Sequence, residues 1–178
     1  AMLSTAQRYR PGCVGFQHHV SQATLGHDAV VFVTHAGNPP RDARGDYLDD
    51  DRYWTGSATL PLAVQHGPVS ISAFSPAFAS PTDDPLTAFS YEPETHAWFP
   101  TEHFDEVVER KGWVLARRGR GYVGLWSWRP ATWRQHDPTL RFARGLSAPF
   151  DLVAGGGAEN VWITEVGDAD DSGPFDAF

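Results

Sequence analysis

Histidine rings titrate near neutrality and bind metals through either nitrogen, so they are the first side chains to test for chemistry. Histidines occur at 18, 19, 35, 66, 96 and 103, among others. His19 and His35 lie on two apolar segments that a single turn would pair, so a suitable register brings them together. With an aspartate from residues 42–51 they would form a two-histidine metal set. No HExxH-type spacing marks such a set, and ordinary hydrogen-bonded strand histidines fit the same positions. Asp42, Asp46, Asp49, Asp50 and Asp51 offer hard oxygen ligands, yet lack the alternating pattern, central glycine and distant glutamate of a calcium loop. They read as a solvated acidic loop, and no cofactor is expected.

Aromatic residues form the second group. Tyr122, Trp126 and Trp128 fall on one face of an extended segment, with Trp113 on the segment before it. Such a face can fill a core, dock another domain or stack on sugar rings, and all three readings stay open. Arg117, Arg118 and Arg120 flank the adjoining turn and could grip a carboxylate bidentately, or simply end strands in solvent. Nothing in the sequence orients Cys13 as a nucleophile. Gly155 to Gly157 are turn residues, since no helix or Lys-Ser/Thr follows as a phosphate loop requires. No complete catalytic set emerges.

These residues must be positioned by strands. Residues 104–128 read as a three-strand meander, broken at Lys111-Gly112 and at Gly119-Arg120-Gly121. Its first strand is polar on both faces and reads as exposed, whereas the third is apolar on both and reads as inner. Segments 12–25 and 29–35 form one hairpin, and 59–65 and 69–74 a second. A short strand at 96–99 is stopped by Pro100, residues 129–144 read as irregular, and 149–154 and 160–167 read as a last pair. No sustained helical periodicity occurs before residue 174. Nine or ten short strands therefore predict an all-β fold, a single-domain antiparallel β-sandwich over 1–178 with little helix.

Composition narrows the classes further. A net charge of -8 with 14 Lys+Arg disfavours nucleic acid as a partner. One cysteine excludes an internal disulfide and leaves the compartment open. No apolar run reaches a membrane span and no signal segment opens the chain, which predicts a soluble protein with no membrane partner. Ala1 ahead of Met2, and a helix-start pattern at 171–178, read as the ends of a piece of a longer polypeptide.

Tyr9-Arg10-Pro11-Gly12, Gln17-His18-His19, Gln22 to Leu25, AVVFVTHAG from Ala29, YWTG from Tyr53, HAWFP from His96, FDEV from Phe104 and GYVGLWS from Gly121 occur in that order. The series resembles the C-terminal β-sandwich of bacterial heparinase II/III-like polysaccharide lyases, which pair a helical toroid with a sheet domain. The resemblance runs from Tyr9 to Gly167 and lacks the toroid. It implies an accessory domain, inactive alone, that buttresses a helical partner and lends loop residues such as His19 and His35 to a cleft for acidic polysaccharide. In such an elimination a base takes the C5 proton and an acid protonates the leaving oxygen, roles suited to His and Tyr. The competing readings are a carbohydrate-binding module using Trp126, Trp128, Tyr122 and Arg117, and a structural domain without ligand.

Overall fold

A computed structural model describes residues 1–5, 21–35, 43–44, 54, 61–78, 93–140, 143 and 145–178. Twelve strands are present among them: β1 (Met2–Thr5), β2 (Ser21–Leu25), β3 (Ala29–His35), β4 (Leu62–His66), β5 (Val69–Phe74), β6 (Glu94–Trp98), β7 (Glu106–Arg110), β8 (Trp113–Arg118), β9 (Gly121–Ser127), β10 (Ala131–Arg134), β11 (Asp151–Gly155) and β12 (Asn160–Asp168). They form two antiparallel six-stranded sheets, sheet I in the order β1-β2-β3-β6-β11-β10 and sheet II in the order β4-β5-β12-β9-β8-β7. The all-β sandwich read from the sequence is the fold observed, with more strands than the nine or ten expected.

Alternation decides which side chains meet between the sheets. Ala23, Leu25, Val31, Val33, Ala97, Phe99 and Leu152 face inward from sheet I, and Phe74, Val114, Val123, Leu125 and Trp162 from sheet II, forming one core cluster. Polar clasps cross this core. Ser21 and Ser70 share a hydrogen bond at 2.7 Å, and Thr95 Oγ1 accepts from Asn160 Nδ2 at 2.8 Å and Trp162 Nε1 at 2.9 Å. Each satisfies polar atoms that would otherwise be costly to bury.

Three hairpins match their expected turns. Gly26 and Gly67 take positive φ, and Lys111 (φ 51°) with Gly112 (φ 82°) supplies the paired left-handed residues that a two-residue hairpin needs. β7 is an edge strand and β9 an inner one, as the polarity of their faces requires.

Two expectations are corrected. Residues 129–144 are not wholly irregular, because Ala131–Arg134 form β10 on the edge of sheet I, where Pro130 ahead of the strand costs no ladder bond. The last two strands are not a pair: β11 joins β6 and β10 in sheet I, while β12 joins β5 and β9 in sheet II. The glycines between them make a crossover, held by Arg129, whose Nε donates to Glu159 O at 2.6 Å and whose Nη1 donates to Gly156 O at 2.9 Å. The helix start expected after Pro174 is one 3-10 turn, Phe175–Ala177, lying against the outer face of sheet II.

Candidate functional site

The outer face of sheet I carries a buried polar chain. Register places Phe32, Trp98, Asp151 and Arg134 in one cross-strand row, with Thr34, His96, Val153 and Thr132 in the next. Asp151 reaches two rings: Oδ1 lies 3.1 Å from His96 Nδ1 and Oδ2 lies 2.6 Å from His136 Nε2. An ionised carboxylate only accepts, so both nitrogens donate to it, which sets the tautomer of each ring. All three side chains are buried, and Trp54 stacks on His96 at 4.3 Å while His136 stacks on Phe150 at 5.3 Å. Beside them Arg134 grips Glu94 through two hydrogen bonds of 2.6 Å each. Leu140, Ala143 and Phe150 roof this face together with Trp54, Trp98 and Leu146. The arrangement is a buried acid–base chain. Among the described residues no set of three or more His, Cys, Asp or Glu side chains is placed to hold a metal.

Sheet II has a different exterior. Phe175, Phe178 and Ala169 cover Leu115, Tyr122, Val108 and Trp113 on one part of its outer face. Next to that part runs an apolar row through Trp113, Trp126, Ile163, Ile71 and Val64, and beside it Val161, Ala73 and Leu62. Leu62, Val64 and Ile71 are exposed large hydrophobics on this one face.

At the end of the sandwich, where the Lys111-Gly112 turn approaches Pro130 and Ala131, a groove of about 520 Å³ opens between the sheets. Trp113, Trp126, Trp128 and Trp162 line it with Glu109 and Lys111. Trp128 is 57% exposed, and the Arg129 guanidinium lies 5.1 Å from its ring centre.

The residues singled out from the sequence therefore separate. His19, His18, Cys13 and the aspartates at 42, 46 and 49–51 lie outside the described residues. His35 is buried and points inward against Phe74, its ring centre 6.5 Å away, so it contributes to the core rather than to a cleft wall. His66 is exposed at the end of β4, and His103 Nδ1 donates to Asp28 O at 2.8 Å, tying two turns together. Tyr122 is covered by the C-terminal turn and donates to Gly173 O at 3.0 Å, so it joins no platform with the tryptophans. Arg117 pairs with Glu106 and Asp105, and Arg118 with Asp105 and Asp28. Trp126 and Trp128 remain together at the groove. His136, Asp151, Arg134 and Glu94 went unmarked in the sequence. The acidic partners of the short strand at residue 96 would have been visible only with the register of β10 and β11 in hand.

Turn carboxylates complete the electrostatics. The N–H of Gly119 holds the Asp105 carboxyl below its ordinary value, aided by Arg118 and Arg117. The N–H groups of Asp171 and Asp170 do the same for Asp168. Ser147, through its N–H and hydroxyl, and then Ala148 lower Glu102. Among the described residues no helix is long and apolar enough to cross a membrane. No family model, no curated protein and no solved structure matches this chain.

Proposed function

We propose that the chain is an accessory β-sandwich domain that docks, through the β4–β5–β12 half of sheet II, onto a helical domain of a longer polypeptide, as the sandwich of toroid-containing polysaccharide lyases does. The observation that carries this reading is the confinement of exposed Leu62, Val64 and Ile71 to one face, contiguous with Ile163 and Val161. Apolar surface left in one contiguous block marks an interaction site, whereas singly scattered hydrophobics do not. A helical occupant is favoured because the chain's own 3-10 turn already packs Phe175 and Phe178 on the adjoining part of the same face. In this reading the domain supports a neighbour's cleft and performs no elimination alone.

The test compares the wild-type chain with Ile71→Glu. The chain alone should bind a hydrophobic dye such as bis-ANS. Ile71→Glu should lower that binding severalfold while changing stability by only about 0.5 kcal/mol, the range of ordinary surface substitutions. Adding the helical domain should protect the amides of β4 and β5 from exchange, and Ile71→Glu should remove the protection. A stoichiometric dimer dissolved by Ile71→Glu would assign the face to a second copy and overturn the proposal.

A further inference from the structure

The edge of a sheet carries backbone groups that another strand can pair, and the edges of this sandwich are not alike. β7 and β10 close one side. β7 reads Glu106-Val107-Val108-Glu109-Arg110, charged along its length, and β10 is a four-residue strand behind Pro130 whose Trp133 Nε1 donates to Glu109 Oε1 at 2.7 Å. Charge, proline and short length discourage a further strand. β1 and β4 lie at the other side, where Gln65 Nε2 donates to Leu3 O at 3.3 Å. β4 reads Leu62-Ala63-Val64-Gln65-His66, with no titratable side chain before its last residue. Of the exposed large hydrophobics, Met2, Leu62, Val64 and Ile71 lie on β1, β4 and the neighbouring β5, and only Trp128 lies elsewhere.

Pairing shows which backbone groups of β4 are open. Pro68 O accepts from Val166 N at 2.9 Å, so the even-numbered residues of β5 turn their backbone groups to β12, and Val69, Ile71 and Ala73 turn theirs to β4. The register partners His66, Val64 and Leu62 answer them, which leaves the N–H and C=O groups of Ala63 and Gln65 directed away from the sheet. Among the described strands none lies beyond β4. Pro61 has no N–H, so the open ladder is confined to Ala63 and Gln65, placed evenly on either side of Val64.

We infer that β4 pairs antiparallel with β4 of a second copy of this chain, about a twofold axis beside Val64. Ala63 then faces Gln65 of the second copy and Gln65 faces its Ala63, and each pair exchanges N–H to C=O bonds in both directions. Val64 meets its own twin in the closer, non-hydrogen-bonded kind of pair, with Cα atoms about 4.5 Å apart. A second copy is the occupant this edge fits because its open groups are symmetric about one uncharged residue, and a twofold interface is self-complementary. The net charge of -8 opposes association over the surface at large, but none of it sits on β4. An interface one strand wide belongs with the transient ones, below about 1,200 Å². The inference concerns the edge of β4 and not the outer face of sheet II, so it stands apart from the docking of a helical domain.

Sedimentation velocity of the whole chain, from micromolar to millimolar concentration, should show a monomer–dimer equilibrium, with the amide resonances of Ala63 and Gln65 shifting along the same series. Ala63→Pro removes one outward donor from each copy and should weaken association about tenfold or more. Val64→Lys and Val64→Glu set like charges opposite each other at the axis, so each alone should be monomeric and an equimolar mixture should dimerise again. That rescue separates lost pairing from lost folding. Ile71→Glu should leave the dimer in place. A chain that stays monomeric to millimolar concentration overturns the inference, as does a dimer that survives Ala63→Pro. A dimer dissolved by Ile71→Glu but not by Ala63→Pro places the contact on the outer face and overturns the docking proposal as well. If the Ala63 and Gln65 amides are protected from exchange in the monomer, another stretch of the same chain already covers the edge and the inference fails.

Discussion

Asp151 shows how a single residue can be decisive yet invisible in a linear reading. Its carboxylate is the shared acceptor of His96 and His136, with no exposed side-chain surface on Asp151 or His96. Asp151→Asn keeps the shape but leaves one oxygen as acceptor and places an amide N–H₂ against a ring N–H. Removing one partner from a buried polar set commonly costs about 3–5 kcal/mol. We expect Asp151→Asn to destabilise the domain by about 3 kcal/mol in urea denaturation, and a change below about 1 kcal/mol would show that the rings are satisfied without the carboxylate. The network escaped notice in the sequence because His96, His136 and Asp151 lie on or beside three different strands and meet only through the pairing of β11 with both β6 and β10. By contrast, the aromatic nature of Trp126 and Trp128 was legible at once, while their fate was not. Alternation put Tyr122 on their face correctly, but could not foresee that Phe175 and Phe178 would fold back over it.

At the scale of elements, turns and hairpins were readable because their chemistry is local. Gly26, Gly67 and Lys111-Gly112 take the backbone angles that their spacing implied. Longer-range partners were not readable. Gly155 to Gly157 suit a hairpin, but Thr95 accepts from both Asn160 and Trp162 across the core, which suits β12 lying in the opposite sheet. β10 was hidden between Pro130 and Pro138, whose presence argued against any element and yet spares a four-residue edge strand. The C-terminal element invites a direct test at Gly167. A Cβ there would collide with Ser172 Oγ and lie 2.9 Å from Phe178 Cε2. Overpacking of this kind typically costs about 1–3 kcal/mol. Gly167→Ala should therefore release the 3-10 turn and raise amide exchange at Phe175 to Phe178, with the two sheets unaffected. Unchanged exchange there would mean that Ser172 and Phe178 can shift without unseating the turn.

The whole molecule is bound together by turn carboxylates as well as by its core. Glu102 anchors residues 147–148, Asp105 joins the β7 start to the β8–β9 turn, and Asp168 shapes the turn leading to the C-terminal segment. Each carboxyl is held below its ordinary value, so each binds a proton more readily in the unfolded chain than in the folded one. The stability they contribute is complete above the ordinary carboxylate range, near pH 4, and is lost as pH falls through the depressed values. Near-UV circular dichroism should stay level from neutrality to about pH 4 and decline only below it. A decline that begins near pH 6 would assign acid sensitivity to the histidines instead. The described strands also alternate repeatedly between layers: β1 to β3 in sheet I, β4 and β5 in sheet II, β6 back in I, β7 to β9 in II, β10 and β11 in I, β12 in II. Each layer is thus stitched from three separate stretches of chain. A protease that nicks the β6–β7 or the β9–β10 connection therefore cuts the thread without parting the cloth, since both fragments keep strands in both layers and stay interleaved until the whole sandwich unfolds.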